Sequence, residues 1–188
     1  MPSIDDFKSS VSLGNGLALA NRYRIQFDFP ADVTSEEWGN PNTARQFDML
    51  CDSAVIPGRN ISTIDYQAHK QTYKIANGYS FDEATFSFLL TNDYMVKYVF
   101  DKWAQSVIDF KNYRAMYRQQ YVADIDIIQM DKNDNAIYGS RLIGAYPINI
   151  SPIALENSAE NTVQRLTVSM AYEDFEMIEN LEMNITAT

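Results

Sequence analysis

The sequence predicts a mainly β fold with one helix placed mid-chain. Three observations carry this expectation. Long stretches alternate large apolar and smaller or polar residues with a period of two, most strictly from Leu166 to Tyr172. One stretch, Tyr94–Phe110, instead repeats its apolar residues every three to four positions. Aromatic residues make up 13% of the chain, and Tyr and Phe fit pleated surfaces.

Taken in order, residues 1–19 read as a mobile or partner-dependent arm, with Ile4, Phe7, Val11 and Leu13 as its large apolar positions before Gly14-Asn15-Gly16. Asn21–Phe29 alternates Tyr23, Ile25, Phe27 and Phe29 against Arg22, Arg24, Gln26 and Asp28, which predicts a strand ended by Pro30. Residues 30–44 are polar and carry two prolines, so they read as a surface loop in which Trp38 is a candidate contact. Arg45–Ile56 is expected as a strand with Phe47, Met49 and Cys51 alternating, closed by a turn at Pro57-Gly58. Ile61–Ile75 reads as a hairpin turning near Ala68–Lys70. Neither half is strongly apolar on one face, which suits pairing with another subunit.

Asn77-Gly78 marks an expected turn, and Ser80–Leu90 a strand with Phe86 and Phe88 inward. Asn92 and Asp93 are good N-caps for the helix, placed at about 93–110 with Val96, Val99, Phe100, Trp103, Val107 and Ile108 as its buried stripe. Lys111–Gln120 is basic and Tyr-rich and reads as a loop, solvated or touching a neighbouring subunit. Tyr121–Met130 and Ala136–Ala145 are strands around the turn cluster Asp131–Asn135, which lacks the Gly and the Glu of a calcium loop. Pro147 and Pro152 flank an edge or corner, a polar link follows, and the final alternating strand runs to Phe175. Residues 179–188 form a polar tail with Leu181, Met183 and Ile185 at alternating positions.

Composition narrows function. The 188 residues suffice for one domain with its own core. A formal net charge of −10 disfavours binding to nucleic-acid phosphates, yet suits a wall past which a polyanion must slide. Cys51 stands alone, so neither an internal disulfide nor a thiolate metal cluster is expected, and it reads as a core thiol. The one histidine, His69, rules out an HExxH zinc site. Asp124 and Asp126 share one strand face at i, i+2 and read as its solvated side rather than an acid–base pair. The N-terminal residues show no signal peptide, and no apolar run reaches membrane-span length, so synthesis in the cytoplasm is expected. No catalytic residue, metal ligand or cofactor site is expected.

The ordered set NRYRIQFDF, CDSAVIPG, ISTIDYQAHKQTYKIANG, SFDEATFSFLLTND running into a helix with KWAQ, YVADIDIIQMD, LIGAYPINISPIAL and TVQRLTVSMAYEDFEM carries a resemblance. Over residues 20–178 the chain resembles the tail tube protein of contractile-tailed bacteriophages, a family that also resembles the type VI secretion tube protein. The resemblance implies an antiparallel two-sheet β-barrel or sandwich with one flanking helix, six copies of which form a ring. Rings would stack into a hollow tube in the virion, assembled in the host cytoplasm, with DNA passing through the lumen unbound. Partners would be further copies, the tail sheath, and baseplate and tail terminator proteins. A baseplate tube initiator, or the tube of a secretion or contractile injection system, is the alternative. By position, Phe7, Trp38, Tyr66, Gln67, Tyr73 and Lys74 are expected at subunit interfaces, and Arg165, Thr167 and Ser169 at the lumen.

Overall fold

The computed structural model describes residues 3–14, 16–30, 33, 41–68, 70–158 and 162–178. Trp38, His69 and the tail at 179–188 lie outside the described residues.

The chain begins with helix α1, Ile4–Leu13, followed by strand β1, Tyr23–Phe27. Ser3 caps α1, its Oγ accepting the Asp6 N–H at 3.2 Å while Asp6 Oδ2 accepts the Ser3 N–H at 2.8 Å. These bonds hold the Asp6 carboxyl below its usual range. Helix α2 covers Pro41–Leu50 and strand β2 covers Cys51–Ala54. The strand expected over Arg45–Ile56 is therefore a helix as far as Leu50, and only Cys51–Ala54 is strand. A short apolar run fits either period, and here Thr43, Phe47 and Leu50 share the inward face while Met49 is exposed. Proline at the first helical position supplies the start. Val33, from the expected surface loop, is buried in the core.

Strands β3, Arg59–Ala68, and β4, Gln71–Phe81, form one long hairpin. Asn77-Gly78 is not a turn. Ser62 faces Gly78 and Thr63 faces Ala76, so Asn77 is the extra residue of a β-bulge inside β4. Strand β5, Ala84–Leu89, buries Ala84, Phe86 and Phe88. Helix α3 spans Met95–Val107 and buries Met95, Val96, Val99, Phe100 and Trp103. Its N-cap is Tyr94 in the left-handed region (φ 52°), without a side-chain cap; Asp93 Oδ1 instead accepts the Met95 N–H at 3.3 Å. Ile108, expected inside the helix, opens the short strand β6, Ile108–Asp109, which pairs with β7, Arg114–Ala115, before a single turn α4, Arg118–Tyr121. The single flanking helix is thus one of four helical segments among the described residues.

Strands β8, Ala123–Met130, β9, Ala136–Ile150, β10, Arg165–Ala171, and β11, Asp174–Met177, complete the chain. The antiparallel path is β1-β8-β9-β10-β5-β2, with β11 also pairing β9. Strand β9 joins two halves: Ala136–Ala145 pairs β8, Ser140–Ile143 pairs β11, and Tyr146–Ile150 pairs β10. The halves face one another, with Phe27 of β1 5.6 Å from Phe86 and 6.0 Å from Phe88 of β5. Phe100 and Phe47 close that aromatic core. This is a two-layer arrangement with open ends at β1 and β2, not a barrel closed within one chain. The last strand, expected to be continuous to Phe175, breaks after Ala171, and β11 moves to the other half.

Candidate self-assembly surfaces

The β3–β4 hairpin stands apart from the seven-stranded sheet. Like the short β6–β7 pair it forms its own two-stranded sheet, but it is far longer, and its side chains from Ile61 to Gln67 and from Gln71 to Ser80 are exposed. The bulge at Asn77 has a consequence for its faces. Near the base, Ile61 opposes Tyr79 and Arg59 opposes Phe81. Towards the tip, Ile64 opposes Ile75 and Tyr66 opposes Tyr73 on the other face. Ile64, Tyr66, Tyr73 and Ile75 are each about half exposed (46–55%). A two-stranded ribbon with such a face is marginal in water and gains by being covered.

Arg59 fixes the hairpin's base. Its guanidinium lies 4.9 Å from the Phe175 ring centroid and 5.6 Å from that of Phe81. It also donates to the Phe175 carbonyl at 3.2 Å, and Asn60 Nδ2 donates to Asp82 at 3.1 Å.

The expected interface residues separate into groups. Tyr66 and Tyr73 are direct cross-strand partners on the apolar tip face. Gln67 and Lys74, paired with Thr72 and Asp65, lie on the opposite face. Phe7 is 63% exposed on α1, which has no buried residue. The signal for α1 was present in the Ser3–Asp6 spacing, which matches a capping box.

Arg165, Thr167 and Ser169 share one face of β10, since Leu166, Val168 and Met170 between them are fully buried. Their partners across β5 are Leu89, Ser87 and Thr85. Ser53 of β2 faces Ser87, and Asn149 of β9 faces Ser169. The result is a wall of small neutral hydroxyl and amide groups. Its one guanidinium, Arg165, is held by Asp52 at 2.9 Å. Among the described residues, both borders of this half, β2 and the Tyr146–Ile150 part of β9, have a partner on one side only.

Residues weighed for chemistry have structural tasks. Asp126 is buried, not solvated, because Arg141 folds over it with two bonds of 2.7 Å. This pairing, with Asp124 and Asp28 nearby, raises the Arg141 pKa further. Asp124 Oδ1 accepts the Gly144 N–H at 3.1 Å. The half-buried Cys51 thiol lies 3.3 Å from the Ser53 carbonyl, and burial pushes it up to about 11, the reverse of what a nucleophile needs. Among the described residues, no three His, Cys, Asp or Glu side chains gather to hold a metal, and no helix is long and apolar enough to cross a membrane.

Comparison with known proteins gives these surfaces a context. The profile of the phage tail tube protein family matches residues 18–178. The tail tube protein of Serratia phage KSP90 is 21% identical over 173 residues, covering 92% of this chain and 95% of that one. The fold is similar to a chain of the anti-feeding prophage baseplate, with a TM-score of 0.62 at 14% identity over 86% of this chain and 95% of the other. It is also similar to a chain in the sheath–tube complex of an extracellular contractile injection system, with a TM-score of 0.56 at 12% identity over 90% and 96%. With the family profile spanning both sheet halves, the hairpin and α3, the chain belongs to the phage tail tube protein family.

Proposed function

We propose that this chain is the structural subunit of a contractile phage tail tube, six copies closing into a ring and rings stacking into a hollow conduit for DNA. The observation that carries the reading is the β3–β4 hairpin, ten and eleven residues long, paired only with itself and apolar on an exposed tip face. Covering that face with a neighbouring copy removes its cost. The half-paired borders at β2 and β9 support the same reading, since a ring of copies closes sheet edges that one chain leaves open. The wall around Thr167 and Ser169 suits a lumen. It offers no unpaired cation to grip phosphates, in a chain of net charge −10. The role is mechanical rather than catalytic, and the tube belongs in the tail of the particle with sheath, baseplate and terminator proteins as neighbours.

Sedimentation velocity at rising protein concentration tests this. The wild type passes from small species to large ones, whereas Tyr66→Glu/Tyr73→Glu stays small with an unchanged circular dichroism spectrum. Wild-type monomers that persist at every concentration contradict the proposal. Single rings that never stack favour a baseplate initiator instead.

A further inference from the structure

The segment from α3 to α4 departs from the rest of the chain in charge. Between Met95 and Arg118 stand Lys97, Lys102, Lys111, Arg114 and Arg118 against Asp101 and Asp109, a net of +3 along the segment within a chain of −10; of these cations Arg118 is paired with Glu173 at 3.1 Å. Both carboxylates are already engaged. Asp101 holds Lys97 at 2.6 and 2.7 Å. Asp109 closes its own turn, accepting the N–H groups of Lys111 at 2.9 Å and Asn112 at 3.3 Å. The Asn112 side chain also donates to Asp109, and this bond above all, with the backbone ones, holds the Asp109 carboxyl below its usual range. Lys102 stands over the Tyr98 ring, 5.5 Å from its centroid. No ion pair among the described residues engages Lys111 or Arg114.

The same segment exposes aromatic area. Phe110 is 62%, Tyr117 83% and Tyr113 90% exposed. Tyr113 also takes φ 52°, the left-handed region that a bulky side chain rarely adopts. The β6–β7 knuckle is nevertheless ordered, tied back by the Met116 N–H to the Val107 carbonyl at 3.2 Å. Within one copy, a tyrosine held in that conformation and turned to solvent returns nothing. Tyr and Arg side chains presented together are the chemistry of interface anchors.

Its place in the fold selects the partner. Helix α3 packs on the apolar face of β5, with Phe100 5.3 Å from Phe88. It therefore lies on the side of that sheet opposite Thr167 and Ser169. With those residues at the lumen, α3 and the knuckle after it look outward. We infer that this basic, aromatic surface, centred on Lys111, Tyr113, Arg114 and Tyr117, docks an acidic segment of the sheath protein that surrounds the tube. The inference rests on the tube reading and names the surface and charge that reading leaves open. Phosphate tracking is the poorer fit, because the cations form one small patch on an acidic protein.

The test is co-assembly of the full chain with the sheath protein of the same particle, using Lys111→Glu/Arg114→Glu and, separately, Tyr113→Ala/Tyr117→Ala. Wild-type tubes acquire sheath, and the sheath cosedimenting with them falls as salt is raised. Both variants form tubes of normal appearance, and cosedimenting sheath drops at least about tenfold. Variant tubes that bind sheath as the wild type does overturn the inference. So do variants that stay folded but form no tubes, which would make this surface a contact between copies. Failure of the wild type to form tubes removes the tube reading, and this inference with it.

Discussion

Asp124 accepts the backbone N–H of Gly144 at 3.1 Å, at the point where strand β9 passes from one half of the sheet to the other. Gly144 holds φ 63°, and opposite it the β8 register skips from Ala123 to Ile125. The Arg118–Glu173 ion pair, 3.1 Å long, sits over the glycine, with Arg118 3.4 Å and Glu173 3.5 Å from where a Cβ would stand. The corner is thus made by backbone conformation and held by one carboxylate.

Gly144→Ala is therefore expected to destabilise the subunit by about 1–2 kcal/mol through left-handed strain. Asp124→Ala orphans the Gly144 N–H and costs about 1–3 kcal/mol. The two share one corner, so the double variant loses less than the sum. Thermal unfolding of the three proteins checks this; strict additivity would show that Asp124 does not act through Gly144.

Much of this architecture is legible from side-chain period alone. Ile25 and Phe27, Phe86 and Phe88, and Leu166, Val168 and Met170 alternate in sequence and are buried as that pattern requires. The stretch at 45–56 misleads because Phe47, Met49 and Cys51 alternate while Phe47 and Leu50 also share a helical face; tertiary packing against Phe27 and Phe88 settles it as a helix. Asn77-Gly78 carries a turn signal, but the register around it continues, so the same two residues make a bulge. Asp126 looked solvated because strand alternation says which face a residue occupies, not what covers it, and Arg141 does. The apolar tip face of the hairpin was hidden for a related reason. The bulge splits the evenly spaced run Tyr73, Ile75, Tyr79 and Phe81 between two faces, and β3 matches it with a phase slip between Ile61 and Ile64, so the sequence pattern does not mark the tip face.

Alkaline pH is expected to weaken the subunit. Burial pushes the Cys51 thiol up to about 11 and, with Tyr23 donating to the Cys51 carbonyl at 2.9 Å, the Tyr23 hydroxyl up to about 12. Between the unfolded and folded pKa values the native state binds more protons than the unfolded one, so stability falls as pH rises. The loss begins near pH 9 from Cys51 and continues between about 10 and 12 from Tyr23. Urea midpoints from pH 7 to 11 check the sign. In the native protein at pH 8, iodoacetamide alkylates Cys51 roughly a hundredfold more slowly than an unfolded thiol.

The hydroxyl wall gives a third expectation. Thr167→Lys/Ser169→Lys adds two cations to a face whose present cation is neutralised by Asp52. Tubes are expected to assemble normally, because neither side chain belongs to the buried set. DNA release from particles carrying the variant slows by about tenfold or more, and the delay shrinks as salt rises. Unchanged release from normal tubes would place this face away from the lumen.

Electron microscopy of the purified chain, with the symmetry of its assemblies determined, tests the central claim most directly. The expected result is six-fold rings stacked into hollow tubes, with the Arg165–Ser169 face lining the channel and the Tyr66–Tyr73 face covered by a neighbouring copy. Assemblies without a central channel, or rings in which the Tyr66–Tyr73 face stays open to solvent, would contradict it.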